Sequence, residues 1–355
     1  MEPSTEPRPK REEQQPPSHE VTEVAPNVLR SQLPVFLPGL GHVNCYFLQD
    51  DRGVAVVDPG LPGPQSWRAL VDRLKQAGYR TKDVHTVVVT HSHPDHFGGA
   101  GRLRDNCGAE VITHRTFRTW FDPADDAAVE GDDDATGTPV AIPWGADLPW
   151  RTGERVGPPR SRRLRFRMMR TFMRGFMRTP APTRRVDDAE VVVLAGREWV
   201  SLHTPGHTAD HLCLYDPVEG IVLSGDHVLP TITPHISGLT PGDDPLDEFF
   251  QSLQKVAALP DVHLALPAHG HPFKDLAGRT LAIRQHHEER LTTLREAAAE
   301  LGSGTVEELM QRLFRPRSWG QMAESETYAH LEHLRVIGEA ESRFEHGALH
   351  YRLTD

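Results

Sequence analysis

The sequence predicts an α/β fold on three observations. Val84-His85-Thr86-Val87-Val88-Val89 is a β-branched run that reads as a buried strand, and a helical pattern begins just after it, from Phe97 to Leu103. A second β-rich series lies between Ala189 and Asp226. Past about residue 275 the character turns helical and ends in a short alternating stretch.

At 355 residues the chain has room for one large domain or two with ample core. A formal charge of −11 argues against a generally nucleic-acid-binding surface. Cys45, Cys107 and Cys213 are scattered without CxxC spacing, which fits a reducing compartment. The polar, Pro-rich start has no apolar segment of signal-peptide type, and no apolar run reaches the roughly 18 residues a bilayer span needs. A cytoplasmic protein is therefore expected.

In order along the chain, residues 1–20 are expected to be a disordered tail, being too polar to offset chain entropy by burial. Val28 to Phe36, His42 to Leu48 and Gly53 to Val57 read as strands, the last turning at Asp58-Pro59-Gly60. Ser66 to Ala77 reads as a helix stopped by Gly78, with Trp67, Leu70, Val71 and Leu74 on its apolar face. The strand over 84–89 opens into Thr90-His91-Ser92-His93-Pro94-Asp95-His96-Phe97-Gly98-Gly99. His91, His93, Asp95 and His96 each offer a lone pair to a divalent cation, and imidazole with carboxylate suits zinc, iron or manganese. Alternate residues of an extended loop face one way, so His91 and His93 share a side. Asp95 and His96 follow a turn at Pro94 and can serve a second position.

Gly108 to His114 is a further strand, and His114 reads as a packing or surface histidine. Ala189 to Leu194 and Glu198 to His203 pair around Gly196. Leu212 to Tyr215 and Gly220 to Asp226 are strands, Pro245 to Leu259 is helical, and His263 to Pro267 is a last strand. Each of these loops adds a candidate ligand: His207 in Thr204-Pro205-Gly206-His207-Thr208, Asp226 in Ser224-Gly225-Asp226-His227, and His269 in Pro267-Ala268-His269-Gly270-His271.

This His-x-His-x-Asp-His-x-Gly-Gly loop, with the later motifs in order over roughly residues 27 to 275, resembles the metallo-β-lactamase-fold hydrolases. The resemblance implies an αββα sandwich carrying two divalent metal ions, zinc first with iron or manganese accepted. It implies that His91, His93 and His207 hold one ion and Asp95, His96 and His269 the other. Asp226 would bridge them, and a shared hydroxide, oriented by Asp95 as catalytic residue, would attack an electrophilic carbonyl or phosphorus. Asp58 resembles the family's Asp that orients a ligand histidine, and an Asp capping the following segment reads equally well. His211 is a candidate for orienting a ligand or meeting a leaving group. Asn44 occupies a position where the family often has Asn near the site, and His227 and His271 are weaker candidates.

Residues 115–185 form an insertion that departs from the compact family pattern. Asp122 to Asp134 is acidic. Arg160 to Arg178 carries a Met169, Phe172, Met173, Phe176 stripe beside an Arg163, Arg167, Arg170, Arg174 stripe at helical spacing. A lid helix over the site is the favoured reading, ahead of a surface helix and of a membrane-surface or dimer helix. Arginines on a lid suit an anionic substrate.

The tail reads as helices over Leu281 to Leu301, Thr305 to Phe314 and Glu324 to Glu341. Thr305 and Glu308 make a capping box, and a hairpin turns near His346-Gly347. The order resembles the winged-helix-like domain of the β-lactamase-like protein 2 subgroup and its fungal thioesterase relatives. The domains expected are thus a catalytic unit over 21–275 and a winged-helix-like unit over 276–355, which with the Met/Phe helix offers a surface for a homodimer.

The function expected is metal-dependent hydrolysis of a small-molecule thioester or related ester, of acyl-coenzyme A or acyl-glutathione type. The alternatives are an endoribonuclease or phosphodiesterase of the same fold, and a non-catalytic metal-binding regulatory module. The acidic chain makes a nucleic-acid partner the weaker expectation.

Overall fold

The computed structural model describes residues 11–37, 39–119, 146–156, 180–240 and 242–354. The acidic run and the Met/Phe–Arg helix of the insertion lie outside these residues. The first half forms a seven-stranded sheet in the order β1-β2-β3-β4-β5-β6-β9. Its strands are Thr22–Ala25, Val28–Leu37, Leu40–Asp50, Gly53–Val57, Val84–Val88, Glu110–His114 and Arg184–Val186. Between β6 and β9 lie the short strands β7 (Asp147–Leu148) and β8 (Arg151–Arg155). The second half forms a five-stranded sheet from β10 (Val191–Leu194), β11 (Arg197–His203), β12 (Leu212–Asp216), β13 (Ile221–Gly225) and β14 (Leu264–Pro267), paired in sequence order. In each sheet the antiparallel strands come first and parallel pairing follows, between β4, β5, β6 and β9 and between β13 and β14.

Side-chain alternation sorts the core into layers. Ala55 and Val57 of β4 meet Leu212 and Leu214 of β12 and Ile221 and Leu223 of β13 in the layer between the sheets. Val54 and Val56 face the other way, with Leu70 and Leu74 of helix α1 (Pro64–Gln76). Cys213, Tyr215 and Val222 face the helices of the second half. Helix, sheet, sheet, helix is the sandwich expected. On α1 the apolar face is narrower than read: Val71 is 38% exposed while Arg73 is buried, donating to the Ser18 carbonyl and the Asp72 carboxylate.

Two expectations are corrected. Residues 11–20 are not a disordered tail: Glu12–Gln14 forms a 3₁₀ turn seated on β2 and β3, with Glu13 fully buried. Its order comes from long-range partners, Arg30, Gln32 and His42, that no local pattern announces. The last helix, read over 324–341, is Gln321–Val336; the chain turns at Gly338 with φ +82°, and Ala340 already pairs with Leu353 in a strand.

After β14 come helix Leu276–Leu301, strand β15 (Gly304–Thr305), helix Val306–Leu313, helix Gln321–Val336 and a hairpin of β16 (Ala340–Glu345) and β17 (Ala348–Leu353). The Thr305 hydroxyl accepts from Glu308 N, and the Glu308 carboxylate accepts from Thr305 N at 2.8 Å, closing the capping box. His346 at φ +50° and Gly347 at φ +85° make the tight hairpin turn. β17 also pairs with β15 and, at Ala348, with Arg151 of β8, so the insertion is stitched to the tail. Among the described residues no helix is long and apolar enough to cross a membrane.

His114, at the end of β6, is buried and stacks on His203 with ring centroids 3.8 Å apart and planes 7° from parallel. Burial, then the neighbouring His203, pushes the His114 pKa down to about 3. The unfolded side chain titrates near 6.5, so the neutral pair supports the fold fully above that pH and loses its contribution as pH falls towards 3. Lowering pH from 7 to 5 is expected to reduce unfolding free energy in urea titrations, this pair accounting for about 1–2 kcal/mol. His114→Gln should show a smaller drop than wild type, and an equal drop would exclude the pair as its source.

Candidate metal centre

The candidate ligands gather at one edge of the sandwich, where strand ends of both sheets meet. β5 ends into Thr90–His93; Pro94 then starts the short helix Pro94–Phe97 that carries Asp95 and His96. Gly98 and Gly99 follow because their backbones run against those of Pro62 and Pro59, where a side chain would collide. The loop after β11 delivers His207, the end of β13 delivers Asp226, and the end of β14 delivers His269. The backbone N–H of Leu212 donates to Thr90 O at 2.8 Å, tying the two loops together.

Donor atoms of His91, His93, His207 and Asp226 lie within 4.8 Å of one another, and so do those of Asp95, His96 and His269. Asp226 lies between the clusters: its Oδ2 is 3.5 Å from His96 Nε2 and 3.7 Å from His207 Nε2, and its Oδ1 is 3.5 Å from His269 Nε2. His93 Nδ1 sits 3.0 Å from His91 Nε2 and 3.1 Å from His207 Nε2.

The outer nitrogens are fixed by the chain. His96 Nδ1 donates to Asp58 Oδ2 at 2.9 Å, His207 Nδ1 to the His235 carbonyl at 2.7 Å, and His269 Nδ1 to the His42 carbonyl at 2.9 Å. Thr90 Oγ1 donates to Asp58 and accepts from His91 Nδ1. With the proton held on Nδ1, the Nε2 lone pairs of His91, His96, His207 and His269 face inward. His96 Nε2, His269 Nε2 and Asp226 Oδ1 are buried without any hydrogen-bond partner. Buried polar atoms are rarely left so. Convergent imidazole and carboxylate lone pairs fit divalent cations in both positions.

The electrostatics agree. Burial pushes His91 well below its ordinary pKa and takes His93 down to about 3 with help from His207. Burial opposes charge on His96 and His269 as well, yet Asp226 first, and Asp95 with it, raise both. Despite burial, the same contacts hold Asp95 at about 2. The carboxylates thus favour positive charge beside His96 and His269, the place a cation would take.

The Asp58 carboxylate accepts from the Thr90 backbone at 2.9 Å, from the Thr90 hydroxyl and from His96, all on the loop of candidate ligands rather than on the segment that follows it. Asn44 acts on the loop: Nδ2 donates to Pro267 O and Gly270 O, both at 2.8 Å, framing His269. His211 stands behind Asp226, its Nδ1 donating to Thr204 Oγ1 and its Nε2 accepting from Asp226 N at 3.0 Å, so neither nitrogen is open to a leaving group. His227 is buried beside Phe249, and His271 is exposed. Sequence reasoning missed Asp210, fully buried, which accepts from Ser92 Oγ at 3.1 Å between two candidate ligands and whose pKa burial pushes up to about 7. It also missed His235, because a backbone carbonyl carries no residue signature.

Residues 38–269 match the model of the metallo-beta-lactamase superfamily. The probable metallo-hydrolase YqjP of Bacillus subtilis is 24% identical over 330 residues, covering 88% of this chain and 94% of its own. A hydroxyacylglutathione hydrolase of Idiomarina loihiensis is 24% identical over 253 residues, 70% of each chain. Among solved structures, a metallo-beta-lactamase family protein of Thermus thermophilus superposes with a TM-score of 0.70 at 28% identity, over 94% of this chain and all of its own. A beta-lactamase domain protein of Burkholderia ambifaria gives 0.76 at 24% identity, over 96% of both. With the sandwich, the donor clusters and these likenesses together, the class is a metallo-hydrolase. The chain belongs to the metallo-beta-lactamase superfamily.

Proposed function

We propose that this metallo-hydrolase cleaves a small thioester or related ester that bears an anionic group. His91, His93 and His207 hold one cation, Asp95, His96 and His269 the other, and Asp226 serves both. Bound divalent cations supply Lewis-acid chemistry, polarising a carbonyl and lowering the pKa of water. The chain's own part is to fix the imidazole lone pairs through Asp58, Thr90 and the carbonyls of His42 and His235, and to orient the attacking water through Asp95.

The observation that carries the substrate class is a cleft of about 560 Å³ whose walls include Arg11, Arg279, Arg290 and His286 together with Thr231–Thr233. That wall segment runs between Asp226 and His235. Arg279 donates to Leu229 O and Ile232 O, which holds its guanidinium beside this segment. Arg290 is already paired with Glu326 and Glu289 shares the wall, so an anion would be met chiefly by Arg11 and Arg279, guanidinium groups suited to carboxylate or phosphate. Similarity to the hydroxyacylglutathione hydrolase points the same way.

A phosphodiesterase or ribonuclease reading would draw on the tail, whose helix, strand, helix, helix, hairpin order we read as winged-helix-like. The chain's charge of −11 weighs against it. The test is turnover of acyl-coenzyme A, acyl-glutathione, a lactone, a phosphodiester and a short RNA, each with and without EDTA. EDTA-sensitive cleavage of a thioester is expected, and cleavage of RNA or the phosphodiester alone would overturn the proposal.

A further inference from the structure

We propose that Glu13 is a further residue of the metal centre, a carboxylate brought in on an N-terminal strap that favours loading of the position formed by Asp95, His96 and His269. The inference rests on reading the two donor clusters as a two-cation centre. The strap is the turn Glu12–Gln14 with its flanks. On one side the Glu12 carboxylate accepts from Arg30 Nη2 and Gln32 Nε2 and lies 3.2 Å from His42 Nε2. His42 Nδ1 donates to Gln15 O at 2.9 Å, and the Gln15 backbone passes so close to Gly41 that a Cβ there would collide. On the other side Arg11 Nη1 donates to Thr231 O at 3.2 Å. The strap therefore spans from β2 and β3 to the segment after Asp226.

The anchors are also the supports of His269. The His42 carbonyl accepts from His269 Nδ1, and Arg30 Nη2 donates to Gly270 O at 3.2 Å. Successive side chains of a 3₁₀ turn point in different directions, so anchoring Glu12 turns Glu13 inward. Glu13 is 0% exposed, and neither of its carboxylate oxygens has a hydrogen-bond partner. Its Oε2 lies 3.9 Å from where a Cβ on Gly270 would sit, beside the residue that follows His269.

An unpaired buried carboxylate is costly, and such groups are paired or serve a cation. Glu13 is not among the side chains whose donor atoms converge, so its role is one of charge rather than ligation. Two divalent cations would bring four positive charges to the buried centre, where Asp58, Asp95 and Asp226 are the buried carboxylates among or against the candidate ligands. Glu13 adds a further negative charge, and in a low-dielectric site that charge acts across several ångströms.

The test strips the full chain of metal and titrates it with zinc against a chromophoric chelator. The wild-type chain should take two equivalents. Glu13→Gln, which keeps the shape and removes the charge, should bind the first as wild type and the second roughly tenfold more weakly. Glu12→Gln, which frees the strap, should do the same, whereas the exposed Glu198→Gln should not. A folded Glu13→Gln chain, checked by circular dichroism, that binds both equivalents as wild type overturns the role of Glu13. A wild-type chain that binds no zinc overturns the centre itself, a result distinct from the first.

Discussion

Asp226→Ala is expected to abolish hydrolysis and to strip the protein of metal. Among the described residues Asp226 is the only carboxylate whose oxygens approach histidines of both clusters, His96 and His269 on one side and His207 on the other. Removing it leaves Asp95 beside His96 and His269 but takes away the carboxylate that faces His207 and joins the two clusters. The Lewis-acid contribution lost amounts to several kcal/mol, and each 1.36 kcal/mol is tenfold in rate, so turnover should fall by about three orders of magnitude or more. His93→Ala should behave alike, since its Nδ1 closes the cluster between His91 and His207. Metal content by elemental analysis, beside turnover, checks the cause. Full activity in either variant would reject the assignment of these residues.

Much of this centre was legible because its residues sit where local patterns put them. His91, His93, Asp95 and His96 are contiguous, and a strand run before them with Gly98-Gly99 after fixes the loop. His207, Asp226 and His269 each end a readable strand. What escaped depends on partners far away in the chain. Glu12 and Glu13 lie in a polar, Pro-rich stretch whose composition says disorder, and only Arg30, Gln32 and His42 give it a place. Asp210 looks like any loop acid until Ser92 is seen to donate to it from 118 residues away. Asp58 read equally well as a cap on the segment after it, because its partners Thr90 and His96 lie 32 and 38 residues further on.

A boundary near residue 275 was also read from a change of pattern, and periodicity tells which residues are apolar, not which body they pack on. Leu291, Leu294, Val306, Leu309, Leu331 and Leu334 of the tail share one continuous core with Leu202, Val222, Phe249 and Ala265 of the sandwich. Trp150 of the insertion donates to Glu324 at 3.0 Å, and Glu326 lies 3.4 Å from the side chain of His235, whose carbonyl holds His207. A chain ending at residue 275 is therefore expected not to fold. Each large apolar side chain buried there contributes roughly 1.5–3 kcal/mol, so losing these six removes about 9–18 kcal/mol, as much as the whole stability of an ordinary domain. Within the intact chain, Leu294→Ala should cost about 2–5 kcal/mol in urea unfolding while leaving metal stoichiometry unchanged. A truncated chain that unfolds cooperatively and retains metal would mean that the sandwich holds its own core, and that the tail is an independent domain after all.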